Sequence, residues 1–130
     1  MDRADLLDAA REAVEASYAP YSEYRVGAAI ETADGSVYTG CNIENANYSN
    51  SLHAEEVAVG TAVRDGHREF EQLAVSSDER DGVTPCGMCR QTLAEFCDDD
   101  LPIYTDGPDG GAYTLGELLP DTITTEHLDR

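Results

Sequence analysis

"RVGAAIETADGSVYTGCNI" (residues 25–43) holds two β-capable runs around Ala33-Asp34-Gly35. Asp-Gly between alternating apolar residues is a hairpin signal, because glycine tolerates the positive φ that a tight turn demands. The pattern predicts strands at roughly 25–32 and 36–43. N-terminal to it, Leu6, Leu7, Ala10 and Val14 recur at helical intervals among charged residues, so an amphipathic helix is expected over Arg3–Ser17. "YAPYSEY" (18–24) then stops the helix at Pro20 and forms a loop. C-terminal to the hairpin, "ENANYSNS" is polar and loop-like, and His53–Val63 reads as a helix closed by Asp65-Gly66. Ala54, Val57, Ala58 and Ala62 make most of its faces apolar, which suits an interior or an interface. "QLAVSS" (72–77) is a short buried strand, Cys86–Cys97 a third helix and "LPIYT" (101–105) another strand. Thr114 and Glu117 have the spacing of a capping box for a short helix ended by Pro120. Helices alternating with strands call for a mixed sheet between helical layers.

Composition narrows the function. The 130 residues are expected to form one domain, 1–130, since a chain of this length buries about two thirds of its unfolded surface around a single core. Acidic residues number 27 against 8 basic ones, a formal charge of −19, and every basic residue is arginine. Such a field repels phosphate backbones and anionic headgroups, so neither nucleic acid nor a membrane is the expected partner; a small neutral or cationic molecule is. The acidity itself reads as solubility in a salty cytosol, the halophilic pattern of an acidic proteome. The N-terminus lacks the apolar core of a signal peptide and no run has the length of a membrane span, so a cytoplasmic location with reduced thiols is expected.

The chemistry gathers in two segments. His53-Ala54-Glu55 opens one predicted helix and Pro85-Cys86-Gly87-Met88-Cys89 opens another. Cysteines three apart at a helix start point the same way, and the positive helix end attracts anionic ligands. With His53 they make three ligands of the type Zn²⁺ accepts, leaving a fourth position for water, as catalytic zinc requires. Glu55 is then placed to move that water's protons. Each part alone is unspecific; jointly, His-x-Glu and Pro-Cys-x-x-Cys are the known signature of zinc nucleobase deaminases. Two other readings stay open: a Cys-x-x-Cys dithiol oxidoreductase, and a closed structural zinc site completed by Cys41 or Cys97. Otherwise Cys41 and Cys97 are expected as buried small hydrophobes, and His67 and His127 as exposed.

"YAPYSEYRVGAA", "GCNIENANYS", "HAEE", "PCGMCRQTL" and "ELLP" resemble, in order and spacing, the small cytidine deaminases. The resemblance implies a three-layer α/β/α sandwich around a mixed, roughly five-stranded sheet. It implies zinc on His53, Cys86 and Cys89, with Glu55 carrying protons while water displaces ammonia from C4 of free cytidine or 2′-deoxycytidine, a step of pyrimidine salvage. A deaminase of another aminopyrimidine nucleoside, such as blasticidin S, is a near alternative. It assigns Asn42, Ile43, Glu44, Asn45, Ala46, Asn47 and Tyr48, with Tyr24 and Ala54, to the nucleoside; Asn42 and Glu44 would bind the ribose hydroxyl and Tyr24 would pack on the substrate. It also implies a homotetramer. The chain departs from the pattern at His53 and Glu56, where short members often have cysteine and arginine. Three thiolates need a nearby cation and His with two thiolates does not, so Glu56 is expected as a solvated acid. Arg90 is expected either to bond a thiolate or to lie on the surface. Ile123 stands where relatives tend to carry an aromatic residue.

Overall fold

The computed structural model describes residues 1–107 and 111–124, so His127 lies outside the described residues. Five strands form one mixed sheet in the order β2-β1-β3-β4-β5. They are β1 (Val26–Thr32), β2 (Val37–Cys41), β3 (Phe70–Ser77), β4 (Pro102–Thr105) and β5 (Ala112–Thr114). The β3–β4 pair is parallel and the other three pairs are antiparallel. The helices are α1 (Arg3–Val14), α2 (Ala54–Arg64), α3 (Gly87–Phe96) and α4 (Leu115–Leu118), with a 3₁₀ turn at Tyr48–Asn50.

Side-chain alternation makes the layers. Successive strand residues point to opposite faces. Ala29 of β1 and Ala74 of β3 therefore pack with Leu6, Leu7 and Ala10 of α1 on one face. Their neighbours Ala28, Ile30, Leu73 and Val75 pack with Ala58 and Val59 of α2 and Leu93 of α3 on the other. The centre of the sheet is thus apolar on both sides. Each fully buried Leu or Ile here contributes about 1.5–3 kcal/mol. The α/β/α sandwich and the mixed sheet expected from the sequence are both present.

The element limits differ where local bonding overrides periodicity. The first helix ends at Val14 rather than Ser17, because Glu15, Ala16 and Ser17 donate to carbonyls three residues back and the last turn tightens. The hairpin turns where expected: Gly35 has φ +89° and donates its N–H to Thr32 O at 3.0 Å. Strand β5, only three residues long, carries no readable period of its own. Thr114 caps α4 through a reciprocal bond with Glu117, as its spacing predicts.

One glycine sets the distance between sheet and site. A Cβ on Gly40 of β2 would stand 2.3 Å from Ala54 O and 2.5 Å from Ala58 N, so α2 lies directly against the β2 backbone. That contact brings the start of α2 to the end of the sheet where the candidate site forms.

Candidate functional site

Two helix starts converge there. His53 is the N-cap of α2, Cys86 is the N-cap of α3, and Cys89 sits one turn inside α3. The His53 Nδ1 is 3.1 Å from Cys86 Sγ and 3.3 Å from Cys89 Sγ. Nitrogen and sulfur ligands of one tetrahedral zinc lie about 3.6 Å apart, from bond lengths of roughly 2.0 and 2.3 Å. The three side chains therefore fit a single ion to within about half an ångström. Among the described residues this is the one His/Cys/Asp/Glu group close enough to share a metal. Neither Cys41 nor Cys97 belongs to it, so the closed four-ligand alternative has no fourth side chain among the described residues. Both cysteines are half-buried rather than fully buried, and Cys97 packs against the core.

Charge also fits a cation. Glu55 is 5% exposed, and burial pushes its carboxyl above the ordinary value against smaller opposing effects from Cys89 and His53. Cys89 is fully buried, and burial, followed by the charges of Glu55 and Cys86, pushes its thiol strongly up. The helix start alone favours the opposite direction, but desolvation and like charge outweigh it. Two acids buried side by side are costly to ionise together, and a bound positive ion offsets that cost.

Glu56 is not the solvated acid expected. Its Oε1 accepts the His53 backbone N–H at 3.1 Å and lies 3.7 Å from His53 Nδ1, so it holds the first turn of α2 in place. The Arg90 guanidinium neither bonds a sulfur nor lies free on the surface. It is half-buried, with Nε donating to Pro85 O at 2.6 Å, Nη1 to Leu118 O at 2.7 Å and Nη2 to Thr84 Oγ1 at 3.1 Å. His67 is half-buried against the Tyr38 ring rather than exposed.

A cavity of about 270 Å³ opens beside the cluster, lined in part by His53, Glu55 and Cys86. Of the residues assigned to a nucleoside, Tyr24, Asn42, Glu44 and Ala54 line it. Ile43, Asn45, Ala46, Asn47 and Tyr48 are not among its walls. The Ile43 backbone pairs with Leu52, Asn45 accepts from Asn47 N, Ala46 is exposed, and Tyr48, 72% exposed, meets the Tyr21 ring edge-on. Asn42 bridges the strands' ends, Nδ2 donating to Tyr24 O at 2.8 Å and Oδ1 accepting from Val26 N at 2.9 Å. Glu44 accepts from the Ser22 hydroxyl and from Tyr21 N and Ser22 N, each N–H at 3.0 Å. The Ser22 hydroxyl, with those amides, holds the Glu44 carboxyl below its ordinary value. Ser22, Ser51, Val83 and Thr84 also line the cavity. They come from loops without period, so the sequence carries no signal for them.

Comparison with known proteins agrees with the donor set. Residues 1–105 match the family described as cytidine and deoxycytidylate deaminase zinc-binding region. The chain belongs to that family. A cytidine deaminase of Sporosarcina psychrophila is 44% identical over 130 residues, covering 98% of this chain and 96% of that one. One of Halalkalibacterium halodurans is 42% identical, covering 99% of each. The crystal structure of cytidine deaminase from Burkholderia pseudomallei superimposes with a TM-score of 0.90 at 39% identity, covering 95% of this chain and all of that one. Zinc is therefore the metal that this deaminase family's donor set predicts, and the dithiol reading loses its basis, since both thiols share one imidazole.

Proposed function

We propose that this protein is a single-domain enzyme, residues 1–130, that hydrolytically deaminates free cytidine and 2′-deoxycytidine to the uracil nucleosides with release of ammonia. The observation that carries the reading is the His53 imidazole within 3.3 Å of both Cys86 and Cys89, with the buried Glu55 alongside. His53, Cys86 and Cys89 hold zinc, which supplies the Lewis acidity that makes water nucleophilic near neutral pH. Glu55 takes the proton of the attacking water and passes protons to N3 and to the departing amine. Its burial supports that task, because desolvation lifts the carboxyl above its ordinary value and so favours taking up the proton it must carry. Water adds at C4, the C4–N bond breaks, and the amine leaves as ammonia.

Tyr24, Asn42 and Glu44, which line the same cavity, bind the nucleoside. Glu44 spends about three of its roughly four acceptor positions on the Ser22 and Tyr21 donors, leaving about one for a ribose hydroxyl. Asn42 keeps one N–H and one lone pair beyond its two structural bonds. Ile43, Asn45, Ala46, Asn47 and Tyr48 shape the loop that carries Glu44, and Ala54 lies against the base.

The active form is a homotetramer acting in cytoplasmic pyrimidine salvage, with an acidic surface suited to a salt-rich solvent. Tyr18, Ile43, Tyr48, Leu52 and Met88 are large apolar residues exposed near the site, a surface that subunit contact would cover. Among the described residues no helix is long and apolar enough to cross a membrane. The test is ultraviolet absorbance of cytidine, deoxycytidine and blasticidin S with purified zinc-loaded protein. Turnover of the first two supports the assignment; turnover of blasticidin S alone, or of none, overturns it. Sedimentation run alongside tests the tetramer, and a monomer at assay concentration would refute it.

A further inference from the structure

Arg90 ties three parts of the molecule together with one side chain. It follows Cys89 directly in α3, and its guanidinium reaches back to Pro85 O and Thr84 Oγ1 in the loop that delivers Cys86. Its third bond goes to Leu118 O, a carbonyl at the end of α4 with no helical partner of its own. Cys86 is exposed and makes no capping bond with its side chain, so apart from the His53 contact its position rests on the backbone that precedes it. Pro85, fully buried, has no N–H, which leaves its carbonyl as the polar handle on that backbone.

We propose that Arg90 is a positioning residue that sets the Cys86 sulfur against Cys89 and His53, and so makes metal retention depend on how α4 is docked. All three bonds from its side chain go to oxygen and none to sulfur, so it acts through geometry rather than by neutralising a thiolate. A planar fork with fixed donor directions can meet three acceptors at once; a lysine ammonium on a flexible stem cannot hold the same three. The neighbouring Gln91 provides an internal control. It clasps the same C-terminal segment, donating to Ile123 O at 3.0 Å and accepting from the Thr122 hydroxyl at 2.7 Å, and neither of these bonds goes to the loop before Cys86.

This inference rests on the reading that His53, Cys86 and Cys89 hold zinc. The experiment measures zinc release from loaded protein to a colorimetric chelator, well below the melting temperature, for the parent, Arg90→Ala, Arg90→Lys, Thr84→Val and Gln91→Ala. Loss of a partner that orients a ligand typically weakens metal binding about 10–100-fold. Release should therefore quicken by about that factor in Arg90→Ala and by less in Arg90→Lys and Thr84→Val, and stay within about twofold in Gln91→Ala. The visible spectrum of the Co²⁺-substituted protein should change in Arg90→Ala and not in Gln91→Ala. Parent-like release and an unchanged cobalt spectrum in the Arg90 variants, even with lowered melting temperatures, would overturn the inference and leave the zinc site standing. Should Arg90→Ala fail to fold, parent-like release in Arg90→Lys and Thr84→Val would overturn it equally. A parent protein that binds no stoichiometric zinc would instead overturn the reading beneath it.

Discussion

Replacing Gly40 with alanine should lift the start of α2 off the sheet. The added methyl would lie 2.3 Å from Ala54 O, 2.5 Å from Ala58 N and 3.0 Å from Val57 Cβ, and two of these three are backbone atoms that no rotamer change can move aside. Ordinary van der Waals contact begins near 3.4 Å, so helix and strand must separate by roughly 1 Å. Overpacking of this kind costs about 1–3 kcal/mol. The same displacement carries His53 and Glu55 with it, and a misplacement of about 1 Å at a catalytic group costs on the order of 100-fold in rate. Gly60, in the same helix, has nothing within 4 Å of its would-be Cβ. Gly60→Ala should leave turnover unchanged and stabilise by up to about 1 kcal/mol through helix propensity. Urea denaturation gives the stability of each variant, and cytidine absorbance gives kcat and KM. Parent-like stability and kcat in Gly40→Ala would refute the view that this contact positions the site.

Glu55→Gln should retain one zinc per chain by metal analysis while kcat falls about 10²–10⁴-fold, the usual worth of a positioned proton carrier; full turnover would remove Glu55 from the mechanism. Burial, with a smaller effect from Asp98, pushes the Cys97 thiol up to about 12 from an ordinary 9.0. Because ionisation is disfavoured in the folded state, this group's contribution is full below pH 9 and is lost as pH rises from 9 toward 12. The fall in stability over that window, followed by urea midpoints, should be shallower in Cys97→Ala than in the parent; identical slopes would contradict the burial argument. The formal charge of −19 should make the folded protein more stable in molar KCl than in dilute buffer, and a melting temperature indifferent to salt would count against the solvation reading.

What the sequence disclosed, and what it hid, follows from the range of each interaction. His53, Glu55, Cys86 and Cys89 were legible because the spacing within each pair is local and zinc chemistry restricts which residue types can cooperate. The hairpin was legible from Asp34-Gly35 and α4 from Thr114 and Glu117, again signals a few residues long. The fifth strand was not, because Ala112–Thr114 is held by pairing with β4 rather than by any pattern of its own. Arg90 and Gly40 were hidden for the same reason: their partners lie at Leu118 and at Ala54 and Ala58, and only the folded chain brings them near. Glu56 was misread because the usual capping-box signal pairs a glutamate at the third helical position with Ser or Thr at the cap, and here the cap is His53. Ile123, at the position where relatives tend to carry an aromatic residue, is 57% exposed and held through its carbonyl by Gln91.

X-ray absorption at the zinc edge of the purified protein tests the central claim most directly. A first shell of one nitrogen, two sulfurs and one light oxygen atom, reduced by one sulfur in Cys86→Ser, is the predicted result. A third sulfur completing a closed shell, or a shell unchanged by substitution of His53, Cys86 and Cys89 in turn, would contradict it.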